Sequence, residues 1–217
     1  MKSDDWHQTQ NDSYYELLKE RLTAKPLLWV EQFLEIINNS EDRGSPSKII
    51  LNDIGCNVGH FYNGMLHNSI NFDYVGYDIS ETYLNLARDH FNSAQFHYLD
   101  ISKSLPRVAD ISVISATLEH IEDINQAMDN IFKTTSRFVL LRTFVGTSSM
   151  SDYCLKPGAS HPYLIRQFTL EELIGIPRSY GFQCTEIEDQ ATLGKEKFVC
   201  NNQSIARKQK ILLFRKV

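Results

Sequence analysis

The residues of this 217-residue chain that could do chemistry stand where short apolar runs end. Asp53-Ile-Gly-Cys-Asn-Val-Gly59 follows Lys48-Ile-Ile-Leu-Asn52. Gly55 and Gly59 let the backbone pass close to a ligand with no Cβ in the way. Asn57, between them, is the non-glycine type that best tolerates a left-handed conformation. Asp78 ends a second run, 23 residues after Gly55. An acidic residue about 20 positions beyond such a turn typically accepts hydrogen bonds from ribose hydroxyls. Asp100 ends a third run, where a carboxylate can accept from an exocyclic adenine amine while the next N–H serves a ring nitrogen. Taken alone the turn fits a structural role equally well. Three carboxylates closing three successive runs argue for a ligand, because burying charge without a partner is costly.

The elements that must position these groups are strands alternating with helices. Lys48–Asp53 reads as a first strand, His60–Leu66 as a helix, Asp73–Asp78 as a second strand, and Glu81 to about Phe91 as a helix capped by Ser80. Ala94–Leu99, Ile111–Ser115 and Arg137–Arg142 supply three more strands, with a helix from about Ile124 to Lys133 before the last. This spacing predicts βαβ units, a parallel sheet and right-handed crossovers. Val145–Ser160, rich in Gly, Ser and Thr, reads as a loop of about 16 residues, a length usual for functional lids or disordered segments. Thr169 and Glu172 have capping-box spacing and open a further helix. Gln183–Glu188 and Ile211–Arg215 read as final strands around a polar hairpin. Apolar spacing from Tyr14 to Ile37 predicts a helical cap, giving one domain: cap 1–45, core 46–143, and an acceptor-side segment 144–217.

Composition narrows the class. With 42% hydrophobic and 23% charged residues the chain is an ordinary globular protein. The net charge of −5 disfavours nucleic acid as the main partner, since phosphate neutralisation supplies most of that affinity. The basic cluster Arg207–Lys210 with Arg215-Lys216 reads as a solvated strand end. Cys56, Cys154, Cys184 and Cys200 form no C-x-x-C pair, which argues against zinc or a disulfide framework and suits a reducing cytoplasm. No apolar run approaches the roughly 18 residues of a membrane helix. The expectation is a soluble, cytoplasmic protein.

Residues 48–143 resemble the core of the class I S-adenosylmethionine-dependent methyltransferases. Asp53–Gly59 is similar to that family's glycine-rich first motif, Tyr77-Asp78-Ile-Ser80 to the acidic end of its second strand, and Leu99-Asp100-Ile101 to its adenine-binding corner. Asp110–Ile121 resembles its fourth motif. The resemblance implies a Rossmann-like α/β fold with helices on both faces, and a sheet of seven mostly parallel strands, the last antiparallel. It also implies S-adenosylmethionine as cofactor and S-adenosylhomocysteine as product. Asp53 with Gly55, Cys56, Asn57 and Gly59 would approach the amino-acid part of the cofactor, Asp78 the ribose and Asp100 the adenine amine. Ile79 and Ile101 would flank the ring, and the backbone of Ser115 and Ala116 would face the methionine portion. Asn57 replaces the motif's middle glycine. Ala116 stands where some family members acting on RNA ends carry a metal-site Glu, so no metal is expected. A dehydrogenase fits less well, because the turn is G-x-x-x-G followed by bulky His60 and Phe61, leaving little room for a pyrophosphate.

Methyl transfer needs alignment and sometimes proton removal. His120, in the Glu119-His120 pair after the fourth strand, is the candidate base, with a capping or packing role as its competitor. His161 and Tyr163, after the long loop, and Arg142, at the end of the fifth strand, are candidate acceptor contacts. Arg142 is equally suited to pairing with a carboxylate. Trp6, His7, Tyr14 and Tyr15 could close over the site, although a core stripe suits the tyrosines better. His60 and His90 read as structural. The expected reaction is methylation of a small molecule at oxygen, a choice that rests on His120 alone and leaves nitrogen open. The alternatives are a protein or RNA acceptor, or a cofactor-binding scaffold without turnover.

Overall fold

The computed structural model describes residues 6, 9–40, 48–104, 106–199 and 202–217. His7 and Cys200, both named above, lie outside the described residues. Among the described elements, the helices α1 (Asp12–Thr23) and α2 (Leu28–Ser40) precede the sheet. The alternating segment follows as β1 (Ile50–Ile54), α3 (His60–His67), β2 (Asp73–Asp78), α4 (Glu81–His90), β3 (Gln95–Tyr98) and β4 (Ala109–Ser115). A short 3-10 turn (Leu118–His120), α5 (Ile124–Thr134) and β5 (Thr135–Gly146) complete it. Beyond lie β6 (Met150–Cys154), β7 (Tyr163–Thr169), α6 (Leu170–Ser179), β8 (Phe182–Ile187), β9 (Glu196–Val199) and β10 (Asn202–Lys216).

The principal sheet runs β3-β2-β1-β4-β5-β10-β8. Pairings from β3 to β5 are parallel, and β10 is antiparallel to both β5 and β8. The expected mostly parallel α/β sheet with its last strand antiparallel is therefore present, and the order reverses between β1 and β4. Side-chain alternation sorts the core into two layers. Phe138, Leu140, Ile211 and Leu213 face α1–α4, while Val139, Leu141, Leu212 and Phe214 face α5 and α6. Phe132 of α5 sits edge-on to Phe182 and Phe214, with ring centroids 5.0 and 5.1 Å away.

Capping follows the sequence signals. Ser80 Oγ accepts the Tyr83 N–H, and Thr169 and Glu172 form the complete capping box of α6. Three expectations need correction. Val145–Ser160 is not a structureless loop: β5 runs on to Gly146, and Met150–Cys154 pairs antiparallel with β7 from Met150↔Gln167 to Cys154↔Tyr163. Ser151 and Asp152 are exposed on that hairpin, while residues 147–149 and 155–160 lie in the connections on either side of β6. The final strand starts at Asn202 rather than Ile211 and pairs with β9. Cys154 is disulfide-bonded, whereas Cys56 and Cys184 are free thiols. Among the described residues no helix is long and apolar enough to cross a membrane.

Candidate functional site

The turn after β1 is built from left-handed backbone. Gly55, Asn57 and Gly59 have φ of 74°, 53° and 87°. A Cβ on Gly55 would lie 2.1 Å from Thr117 Oγ1, so this close approach admits only glycine. The turn is tied to β2 by the Gly55 and Cys56 N–H groups, which donate to the Tyr77 carbonyl at 2.7 and 2.9 Å. Asn57 accommodates its positive φ with its own side chain, Oδ1 accepting from the Val58 N–H at 2.8 Å. Across the sheet Ala116, after β4, also has positive φ (52°), and its N–H donates to the Arg142 carbonyl.

These strand ends surround one cavity of about 770 Å³. Asp53, Gly55, Cys56, Asn57, Asp78, Ile79, Asp100, Ile101, Ser115 and Ala116 all line it. Gly59 does not. It is the N-cap of α3, where a Cβ would come within 3.1 Å of Phe91 and Phe96.

The carboxylates at this end are held differently. Asp53 accepts from the Tyr74 hydroxyl at 2.8 Å, and burial pushes its pKa up to about 7, opposed by Tyr74 and assisted by the charge of Asp78. Burial also raises Asp78, against the N–H groups of Ser80, Asn57 and Ile79 that favour its ionised form. Its Oδ1 and Oδ2 accept from Ser80 and Asn57, each at 2.9 Å. Two carboxylate oxygens offer about four acceptor positions, so Asp78 retains capacity toward the cavity. For Asp100 burial works upward, but Lys103 at 2.7 Å and Ser102 outweigh it and hold the group below the usual carboxylate range.

Beyond β4 and β5 the lining changes. His120 closes the 3-10 turn, and its Nδ1 lies 2.7 Å from the Leu164 carbonyl oxygen. That oxygen can only accept, so Nδ1 carries the proton and Nε2 holds the lone pair. Burial lowers the imidazole pKa although Glu119 opposes it, which keeps the ring neutral near pH 7. Trp6 and Tyr163 flank it, with centroids at 5.0 and 5.3 Å. Glu119 is buried. Its Oε2 accepts from Thr143 at 2.9 Å, and its Oε1 has no partner.

Arg142 lines the cavity but is committed. Its Nε and Nη2 donate to the two oxygens of Asp189 at 3.1 and 3.0 Å, and Nη2 also to Gln209. Of its two expected uses, the carboxylate pair is the one formed. Tyr163 lines the cavity, while His161 is exposed and outside the lining, because it precedes the strand that turns Tyr163 inward. Trp6 and Tyr14 line it too, and Tyr15 rests on the core.

Sequence reasoning missed Lys156, Lys197 and Arg207, which also line the cavity. Arg207 was read with its neighbours as a solvated strand end. It is instead 8% exposed, with Gln209 and Ile211 on the same side of β10, while Lys208 is exposed. The period-2 alternation Arg207, Gln209, Ile211 was the available signal. Among the described residues no group of three or more His, Cys, Asp or Glu side chains is arranged to hold a metal.

Residues 52–137 match a family model described as a methyltransferase domain. The fold is that of the S-adenosylmethionine-dependent methyltransferases. Solved structures of this kind include magnesium protoporphyrin IX methyltransferase from Synechocystis PCC 6803 with bound S-adenosylhomocysteine. It is 16% identical over 87% of this chain and 82% of that one, with a TM-score of 0.58. An amino pentose methyltransferase from Micromonospora echinaspora, bound to S-adenosylmethionine, is 14% identical over 94% and 97%, with a TM-score of 0.64. A S-adenosylmethionine-dependent methyltransferase from Clostridium acetobutylicum ATCC 824 is 11% identical over 94% and 98%, with a TM-score of 0.64. No curated protein matches the chain in sequence. The matched stretch runs from β1 to the start of β5 and contains the strand ends that line the cavity.

Proposed function

We propose that this protein is a single-domain S-adenosylmethionine-dependent methyltransferase acting on a small molecule at an oxygen atom. The observation that carries the reading is one cavity receiving Asp53, Asp78 and Asp100 from the ends of β1, β2 and β3, beside a turn that tolerates no Cβ at Gly55. The residues fit the cofactor. Asp78 keeps an acceptor position for a ribose hydroxyl, and Asp53 is a buried carboxyl without a cation, suited to a positively charged amino-acid group. Asp100 is ionised and faces the cavity as an acceptor for an amine, with Ile79 and Ile101 placed to flank a flat ring. S-adenosylmethionine supplies an electrophilic methyl on a sulfonium, whose carbon–sulfur bond breaks with its electron pair going to sulfur.

The chain's own contribution is alignment and proton removal. A neutral His120 with its lone pair on Nε2 accepts the proton of an acceptor hydroxyl, and the Leu164 carbonyl fixes the ring that does so. Relatives of the same fold are named for a porphyrin and an amino pentose, which supports a small acceptor. Replacing His120 with Ala should lower kcat by about 10²–10⁴-fold and leave S-adenosylhomocysteine affinity nearly intact. Because burial lowers its pKa, the wild-type rate should fall only below the ordinary imidazole range. Unchanged turnover in His120→Ala would remove the base and, with it, the argument for oxygen.

A further inference from the structure

Lys156, Lys197 and Arg207 come from three separate segments yet meet around two rings. The Arg207 guanidinium lies over Phe144, 4.0 Å from its centroid, and Lys197 approaches the same ring at 5.7 Å. Lys156 lies 5.1 Å from the centroid of Tyr163, whose ring is next to His120. Arg207 Nη1 donates to the Arg166 carbonyl at 3.2 Å, while its Nε is buried with no partner. Among the described residues none of the three makes an ion pair. With Arg142 they are four cations lining the cavity, which Glu119, Glu122 and Asp123 also line; the carboxylates that act on Lys197 are Glu119 and Asp189, and on Arg207 Glu119. Asp189 already belongs to Arg142. Glu119 acts on Arg207 and Lys197 only from beyond ion-pair distance.

We propose that this end of the cavity binds an anionic group of the methyl acceptor, a carboxylate or a phosphate, with Arg207 as its anchor and Lys156 and Lys197 beside it. The inference rests on the methyltransferase reading for the word acceptor, and on these residues alone for the anion. Stacking on Phe144 fixes the guanidinium plane, and the bond from Nη1 leaves the Nε–Nη2 edge, the one that grips two oxygens side by side. Arg207 is buried and Lys156 half-buried, while Lys197 is exposed. Withdrawing a cation from water without a counterion is costly, and burial lowers the pKa of Arg207 and Lys156. An anionic ligand offsets that cost. A neutral one does not.

The test is calorimetric titration of the chain, with and without saturating S-adenosylhomocysteine, using benzoate, phenyl phosphate, benzamide and benzylamine as probes. Benzoate or phenyl phosphate should bind, the tighter of the two naming the group, while benzamide and benzylamine should not. Arg207→Gln should weaken that binding about ten-fold or more, and Lys156→Met should weaken it as well. Lys208→Gln, an exposed neighbour on the same strand, should leave it unchanged. S-adenosylhomocysteine affinity should stay within about two-fold in all three variants. Benzamide binding as well as benzoate, or full anion affinity in Lys156→Met and a folded Arg207→Gln, would overturn the inference. Anion binding by a chain that ignores S-adenosylhomocysteine would instead overturn the methyltransferase reading and leave the anion site standing.

Discussion

The two ends of the cavity are built on opposite plans. At the β1–β3 end, carboxylates are held by groups close in the fold: Asp78 by the Asn57 and Ser80 N–H groups, Asp100 by Ser102 and the Lys103 ammonium. At the β5–β7–β10 end, cations arrive from positions 142, 156, 197 and 207 and are fixed by aromatic rings and distant carboxylates. The acidic end suits a ligand with hydroxyl, amine and cationic groups, while the basic end suits an anion. The difference follows from the elements: the carboxylates stand on successive parallel strand ends, the cations on the strands and hairpins beyond β4.

The largest effect that would break this picture concerns Arg142. It is the cation of the basic end with a bidentate partner, so it should belong to stability more than to binding. Asp189→Ala leaves it buried and unpaired, and should cost about 3–5 kcal/mol in denaturant unfolding. A loss near zero would mean that Arg142 is free to serve a ligand, and the basic end would gain a fourth binding cation.

A smaller effect sharpens the acidic end. Asp53, pushed up to about 7, is partly protonated near neutrality. A cationic ligand beside it favours the ionised form, so binding should release a proton. Affinity for S-adenosylhomocysteine, whose amino group is charged, should therefore rise as pH increases toward about 7 and flatten above it. Binding enthalpies near pH 6 should differ between buffers of different ionisation heat. Tyr74→Phe removes the hydroxyl that lowers the Asp53 pKa and should move the flattening point to higher pH. A pH-independent affinity would separate Asp53 from the ligand.

The acidic end was legible because its signals are local. A strand, a glycine turn and an aspartate sit within a few residues of one another, and Asp73–Asp78 was bounded as the structure has it. The basic end was not, for three physical reasons. Polar residues at 145–160 suggested one loop, because the five-residue strand β6 is set between two polar connections, 147–149 and 155–160, and exposes three of its own residues. Lys and Arg clustered at 207–210 read as a charged surface until alternation put Arg207 and Gln209 inside. Pairing between Arg142 and Asp189 spans 47 residues and leaves no periodic trace. His161 and Tyr163 show the same limit: two positions apart in sequence, one exposed and one in the cavity.

The central claim, that the strand ends of β1–β3 hold S-adenosylmethionine, is tested most directly by calorimetry with S-adenosylhomocysteine on the wild type and Asp78→Ala. The account predicts one site per chain for the wild type and a loss of about 10²-fold or more in the variant, with folding intact by circular dichroism. No binding by the wild type, or equal binding by a folded Asp78→Ala, would contradict it.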